Sequence, residues 1–285
     1  MTVVRVAKGH GTQNDFVVIS DLVGDLDLTP ELVRALCDRH AGIGADGVLR
    51  VVRAENHPEA AGQPASFFMD YRNADGSIAE MCGNGVRVFA RWLAREGLIG
   101  DRASIATRGG VKAVQLHSDG NISVGMGAPV FLDGAVRVTV ERSSVRALPA
   151  VALTLPNPHV VVELASRSTL ADLDLSEPPV VDPPLPAGQN VEFIVRTDPR
   201  GLAMRVHERG VGETRSCGTG ICAAVVAAAA ADGLSTGDGS RWAVQAPGGR
   251  CWVTWSADNE IELCGPAVLV ADIDLSTQWL AAAVG

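Results

Sequence analysis

The sequence predicts an α+β fold of two similar domains, each a mixed or antiparallel sheet wrapped around a central helix. Three observations carry this reading. Motifs recur in the same order in both halves, each half has a helix-forming stretch just after a glycine-rich turn, and alternating apolar segments surround those stretches. Met69–Gly85 reads MDYRNADGSIAEMCGNG and Met204–Gly220 reads MRVHERGVGETRSCGTG, which align at a constant offset of 135 with Cys82 on Cys217. Upstream, the run NDFVVI from Asn14 matches NPHVVV from Asn157 at an offset of 143. Downstream, Gly109-Gly110 matches Gly248-Gly249 and Asp119-Gly-Asn-Ile matches Asp258-Asn-Glu-Ile, both at 139. Each match alone is weak, and glycine-rich turns do resemble one another. An ordered series with small drifts in offset is instead the mark of an internal duplication with loop insertions.

Each element has a local reason. Val4 and Val6 in the first copy, and Val151, Leu153 and Leu155 in the second, alternate as in half-buried strands. Thr29 followed by Pro30 opens a short helix to about Arg39. A helix follows each CGxG: Val86–Glu96, stopped by Gly97, and Ile221–Ala231, stopped by Gly233. Arg87, Arg91 and Arg95 stand at i, i+4 spacing and predict a solvated stripe opposite Val88, Phe89 and Trp92. The second helix carries no charge, so it is expected to be buried all round, its alanines allowing close packing. Strands with paired-glycine turns close each copy. Pro178–Pro186 reads as a surface connection inside the second copy. The boundary is placed near Gly127–Phe131, giving domains over 1–127 and 128–285, with a strand near 263–273 that can return to the first domain.

Composition narrows the function. The chain has 285 residues, 47% of them apolar and 20% charged, with a net charge of −9. That balance argues against nucleic acid or an anionic membrane as the main partner, since both select a basic surface. Lys8 and Lys112 are the only lysines, which limits a Schiff-base cofactor to two candidates. Met1–His10 has charges at Arg5 and Lys8 and no apolar core of the export-signal kind. The longest apolar run, Ile221–Ala231, is too short for a bilayer core of about 30 Å. Six cysteines (37, 82, 217, 222, 251 and 264) are too sparse for a disulfide scaffold, so reduced thiols in the cytoplasm are expected.

Cys82 and Cys217 each stand just before a helix start, with glycines at +1 and +3. Unpaired N–H groups and the helix dipole favour negative charge there, so a thiolate is expected to be more accessible than in a free cysteine. The same N–H groups can hold a carboxylate, and glycine lets a ligand approach the backbone closely. Two such sites in a duplicated fold suggest a cleft in which thiols address opposite faces of one α-carbon. One thiolate would remove the proton and the other thiol would return one, giving stereoinversion without a cofactor or a metal. The helix N-termini would stabilise the carboxylate as it becomes enediolate-like. Two thiols so placed could also pair as a reversible disulfide on oxidation.

The sequence resembles the cofactor-independent amino-acid racemases and, among them, the diaminopimelate epimerase family. The landmarks are Gly11-Thr-Gln-Asn-Asp-Phe16, Asp70-Tyr-Arg-Asn-Ala-Asp-Gly76, Met81-Cys-Gly-Asn-Gly-Val-Arg87, Asn157-Pro-His159, Asn190-Val-Glu-Phe193 and the run from Glu208 to Gly220. The resemblance spans nearly the whole chain. It implies that Cys82 and Cys217 interconvert LL-diaminopimelate and its meso form, as in lysine and peptidoglycan precursor biosynthesis. Gly83-Asn84 and Gly218-Thr219 would clamp the reacting carboxylate. Glu208 would hold the reacting ammonium and, with His159, tune the thiols. Arg209, Asn73, Asn157 and Asn190 would grip the distal aminocarboxylate, with Asn14 lining the same cavity. A homodimer is a further implication. One departure is Gly47, where many family members carry a glutamine, so a contact there is expected to be lost or replaced by water.

Blander readings apply elsewhere. Cys37, Cys222, Cys251 and Cys264 read as buried apolar residues, no CxxC zinc pair is present, and the histidines other than His159 read as structural or surface groups. Asn14, Asn73, Asn157 and Asn190 could each cap their own turns. Three rival functions remain: a proline racemase or hydroxyproline epimerase, a catalytically dead amino-acid binder, and a dinucleotide site at Gly218-Thr-Gly220-Ile-Cys-Ala223. The last requires a buried strand before its first glycine, and Arg209–Ser216 is polar.

Overall fold

The order in which strands pair is the same in both halves. A computed structural model describes residues 4–284. They form two compact units, one running to Val124 and resuming at Pro266, the other spanning Gly125–Gly265.

The first unit contains β1 (Arg5–Gly11), β2 (Asn14–Ser20), α1 (Pro30–Cys37), β3 (Gly47–Arg53), β4 (Phe67–Asn73), α2 (Gly83–Arg95), β5 (Arg102–Ala106), β6 (Lys112–Leu116) and the start of β7 (Asn121–Gly127). Taken from β1 to β7, neighbours pair antiparallel, parallel, antiparallel, parallel, antiparallel and antiparallel. The tail strand Val268–Asp274 returns to this unit and pairs antiparallel with β1. The mixed sheet curls around α2, which packs on β1 to β4, β6 and the tail strand.

The second unit contains β8 (Val130–Phe131), β9 (Val136–Thr139), β10 (Leu148–Thr154), β11 (Pro158–Glu163), α3 (Arg167–Ala171), β12 (Val180–Asp182), β13 (Asn190–Asp198), β14 (Gly201–Glu208), β15 (Gly212–Thr214), α4 (Gly218–Ala231), β16 (Arg241–Ala246), β17 (Gly249–Trp255) and β18 (Ile261–Pro266). The series β10, β11, β13, β14, β16, β17, β18 repeats the same six pairing senses. Here the sheet wraps α4. The duplicated motifs therefore occupy equivalent strands and helices.

Helix starts are set by tertiary packing more than by propensity. Thr29 caps α1 by accepting from the Leu32 N–H, as its sequence suggests. α1 ends at Cys37, because Asp38 is extended. α2 and α4 start three residues earlier than the apolar pattern implies, at Gly83 and Gly218, with Cys82 and Cys217 as N-caps. A first-turn glycine costs little when the surrounding sheet fixes the backbone. Gly97 and Gly233, at φ of 70° and 87°, follow the C-caps.

The outer faces are covered differently. In the first unit α1 and the C-terminal helix α5 (Thr277–Val284) cover β1 to β3, with Leu32, Val33 and Leu36 against Val17, Ile19 and Leu275. Strands buried on both faces read as continuous apolar runs, as Phe16–Ile19 does. In the second unit the β9–β12 ladder and Leu170, Leu173 and Leu175 cover β10, β11 and β13. The Pro178–Pro186 connection thus includes a short strand.

The arginine stripe on α2 requires correction. Arg95 is exposed and Arg91 half-buried, but Arg87 is 0% exposed. The sheet closes over the N-terminal end of the helix, so one helical face changes environment along its length. α4 is buried from Gly218 to Ala229, with only its last two residues reaching solvent. Ala224→Leu is therefore expected to destabilise the protein by about 1–3 kcal/mol in urea unfolding, through overpacking. Ala231→Leu, on the exposed end, should fall within about 0.5 kcal/mol of the parent.

Candidate active site

In the first unit β2 and α2 meet at Cys82. Its backbone is extended (φ −141°), and its half-buried side chain makes no capping bond to the helix. Its Sγ lies 3.5 Å from Asn14 Oδ1, at the start of β2. Asn84 Nδ2 donates to the same oxygen at 3.2 Å, and Asn14 Nδ2 donates to Asp46 Oδ2 at 2.7 Å. Burial pushes the Asp46 carboxyl up, against the hydrogen bond from Asn14. The first-turn amides of Gly83 and Asn84 have no carbonyl four residues back within the helix. Asn73 closes β4 and donates to Ser77 Oγ at 3.0 Å, satisfying its own turn.

Gly47 sits across the ladder from Asn73. A Cβ there would come within 2.5 Å of the Arg72 carbonyl oxygen and 2.7 Å of Tyr71 Cε2. The Tyr71 ring, edge-on to Phe16 at 5.9 Å, takes up the space beside Gly47.

In the second unit Cys217 caps α4 and is only 6% exposed. Its Sγ accepts from the Gly220 N–H at 3.4 Å and lies 3.4 Å from Thr219 Oγ1. It also hydrogen-bonds the Glu208 carboxyl, to which the Thr214 hydroxyl donates. Burial, then the carboxylates of Glu208 and Glu192, hold the Cys217 thiol well above its ordinary range. Burial also raises Glu208, partly offset by the bonds from Thr214 and Cys217. The expected bias of a helix N-terminus toward thiolate is therefore overridden at Cys217. One N–H at 3.4 Å cannot offset desolvation beside two carboxylates.

His159, on β11, is fully buried. Its Nδ1 is 2.7 Å from Glu192 Oε1, and its Nε2 is 3.0 Å from Asn157 Oδ1. Both ring nitrogens are thus engaged, one by the Glu192 carboxyl and one by the Asn157 amide. Asn190 pairs with His159 across β11 and β13, and its Oδ1 accepts from the Arg209 N–H at 2.9 Å. The Arg209 side chain is exposed and donates from Nη1 to the Ala187 carbonyl at 2.5 Å. The structure thus gathers Cys217, Glu208, His159, Asn157, Asn190, Arg209, Gly218 and Thr219 in one unit, and Cys82, Asn14, Asn73, Gly83 and Asn84 in the other.

Glu192 is the residue that sequence reading missed. It is 0% exposed, and its Oε2 has no hydrogen-bond partner. A Cβ on Gly220 would lie 2.5 Å from its Oε1, so the second glycine of CGTG makes room for this carboxylate. The available signal was a lone acid within the apolar run Val191–Val195. Asp46, which orients Asn14, was missed as well.

The dinucleotide reading fails on local structure. The strand before Gly218 is β15, three residues long, without buried residues and antiparallel to β14, where that motif needs a buried parallel strand. Among the described residues no cluster of three or more His, Cys, Asp or Glu side chains is placed to hold a metal ion. No helix among them is long and apolar enough to cross a membrane.

A sequence profile for diaminopimelate epimerase matches residues 6–132 and 151–270. The chain belongs to the diaminopimelate epimerase family. Diaminopimelate epimerase from Streptomyces coelicolor is 51% identical over 98% of both chains, and that from Thermobifida fusca 48% identical over 95% of this chain and 98% of the relative. Two solved structures share the fold at lower identity. A PhzF-family phenazine biosynthesis protein from Bacillus anthracis gives a TM-score of 0.71 at 18% identity, covering 97% of this chain and 100% of that one. A probable proline racemase from Agrobacterium radiobacter, with bound carbonate, gives 0.67 at 16%, covering 97% and 93%.

The environment of Cys217 sets its reactivity. In native protein its alkylation by iodoacetamide is expected to be slow at pH 7 and to rise only above pH 9, since the thiolate is the nucleophile. Glu208→Gln should speed the reaction at pH 8 by about tenfold, because removing an adjacent negative charge lowers a thiol pKa. Site-resolved mass spectrometry reads both rates.

Proposed function

We propose that this epimerase inverts one α-carbon of LL-diaminopimelate to give meso-diaminopimelate, and runs the reverse, with Cys82 and Cys217 as its two acid/base groups. The observation that carries the reading is the placement of each cysteine as N-cap of its unit's central helix, in a chain whose relatives are diaminopimelate epimerases. One thiolate takes the α-proton, and the electron pair of the broken C–H bond delocalises into the α-carboxylate. The other thiol delivers its proton to the opposite face. The first cysteine ends as thiol and the second as thiolate, so charge and atoms balance within one turnover. In the free enzyme Cys217 is the thiol, because two carboxylates and burial oppose its ionisation. Once ionised, it keeps the Gly220 N–H as a donor.

The amides at the two helix starts, Gly83-Asn84 and Gly218-Thr219, serve as clamps for the reacting carboxylate, since N–H groups and the helix dipole favour an anion at a helix start. Glu208 binds the reacting ammonium and, with His159, tunes the thiols. Arg209 offers a bidentate fork to the distal carboxylate, with Asn14, Asn73, Asn157 and Asn190 as amide partners. A ligand's carboxylate would compete for the guanidinium now held by the Ala187 carbonyl. Substrates without a second aminocarboxylate are discriminated against, because these groups would then be left unpaired. Closure that excludes water strengthens the contacts. The same reading makes the protein a cytoplasmic homodimer in lysine biosynthesis.

Proton NMR in D₂O, with reduced enzyme and no added cofactor, tests the reading. The α-proton signal of LL-diaminopimelate is expected to disappear as the meso isomer forms. Absence of exchange, with thiols titrated as reduced, would overturn the assignment and direct the assay to L-proline and hydroxyproline. Ligand retained without exchange would mark a binder. Cys82→Ala and Cys217→Ala should each lower turnover by about a thousandfold, within the ~10²–10⁴ range for removing an acid/base group. Near-parent turnover in either variant excludes the two-base scheme.

A further inference from the structure

Glu208 stands at the end of β14, where the chain turns through Arg209, Gly210 and Val211 into the three-residue strand β15. Its cross-strand partner is Gly212, which has no side chain, whereas Thr214 lies opposite Val206. Side chains two apart on a strand share a face, so Thr214 is the diagonal neighbour of the carboxylate. The Thr214 hydroxyl donates to Glu208 Oε1.

The strand that carries this hydroxyl is fixed from its other face. Glu213, between Gly212 and Thr214, is gripped by Arg205, with Nε to Oε1 at 2.7 Å and Nη2 to Oε2 at 2.9 Å. Arg205 also donates from Nη1 to the carbonyls of Leu170, Ala171 and Leu173. A two-pronged guanidinium contact of this kind sets geometry as well as energy.

The titratable groups facing the Glu208 carboxyl are Cys217 before α4, Glu192 on β13 and His159 on β11. β16 meets β14 only at Gly201–Ala203, the far end of the strand. Among the described residues, the side chains that hydrogen-bond the carboxyl are Thr214 and Cys217. The reaction treats these two differently. Cys217 donates as a thiol, and a thiolate has no proton to give. Once ionised, its Sγ keeps the Gly220 N–H at 3.4 Å and has Thr219 Oγ1 at 3.4 Å. Glu208 then faces a second negative charge and retains the Thr214 hydroxyl, which keeps its proton throughout. Without that donor the carboxylate would be free to turn away or to take up a proton.

We propose that Thr214 is a positioning residue for the reaction: its hydroxyl holds the Glu208 carboxylate in place and stays as its donor when the Cys217 proton has left. The use of this contact rests on the two-cysteine reading, in which Glu208 binds the reacting ammonium. Its test reads Glu208 directly.

Thr214→Val keeps the shape and removes the donor, whereas Thr214→Ser keeps the donor. The experiment follows the Glu208 carboxyl carbon by carbon-13 NMR across pH in the full chain, labelled at glutamate. Glu208→Gln assigns the signal, and melting curves are the folding control. A donor to the charged form lowers a carboxyl midpoint, so its removal raises it. Thr214→Val is expected to raise the midpoint by about one pH unit, the order of one hydrogen bond to a charged group. Thr214→Ser should return it to near the parent value. With LL-diaminopimelate, the acid limb of kcat/KM should move up in Thr214→Val by the same amount and move back in Thr214→Ser. A midpoint unchanged in Thr214→Val overturns the proposal, as does an equal rise in both variants, which would trace the effect to packing. A raised midpoint with an unmoved acid limb overturns it too. Where Thr214→Val does not fold, Thr214→Ala carries the same comparison. If the parent shows no α-proton exchange, the substrate reading falls, while the carboxyl midpoints still decide whether Thr214 holds Glu208.

Discussion

The start of each central helix is pressed so closely against the third strand of its sheet that a side chain in the helix's first turn has little or no room. At Gly220 a Cβ would strike the Glu192 carboxylate at 2.5 Å, and at Gly85 it would meet Leu49 Cδ2 at 3.3 Å. The residue before each helix is in the extended backbone usual for an N-cap, at φ of −141° for Cys82 and −110° for Cys217. A side chain there sits beside the first-turn amides, which have no intrahelical acceptor. Cysteine is small enough for the position and carries an ionisable atom.

Upon that shared frame the two units carry different charges. The strand registers make Phe16 the counterpart of His159, Gly47 that of Asn190 and Leu49 that of Glu192, each 143 residues apart. Asn73 and Glu208 correspond 135 residues apart at the ends of β4 and β14. The first unit is apolar or neutral at these places. The second is ionisable at three of the four.

Much of this was legible in the sequence because duplication leaves a trace that does not depend on burial. Offsets of 135 and 143 locate the helices, the cysteines and the Asn14–Asn157 pair, whereas Asn73, Asn84 and Asn190 follow from the family resemblance. What escaped depended on enclosure. Arg87, Arg91 and Arg95 share a helical face, and periodicity assigns a face one environment. The sheet covers one end of that face and leaves the other in solvent. The place of Glu192 is not legible in its motif, because a single acid in an apolar strand shows its meaning only through its partner, a histidine 33 residues away. Nor does the sequence show that the Tyr71 ring on the neighbouring strand stands beside Gly47. The asparagines divided: Asn14, Asn157 and Asn190 hold groups of the site, whereas Asn73 bonds its own turn.

Under the proposed two-cysteine reading, the asymmetry between the units answers a requirement of two-base chemistry. The reactive state needs one thiolate and one thiol together. Were the two cysteines identical and independent, at most about half of the molecules would hold that mixed state at any pH, with the thiolate shared equally between the two sites. Separating the two pKa values by a few units makes one mixed state dominant over the interval between them. The carboxylates of Glu208 and Glu192 hold the Cys217 thiol up and so widen the interval. A duplicated fold supplies equivalent places, but the reaction needs inequivalent charges, and a residue such as Glu192, which need not touch substrate, can supply them.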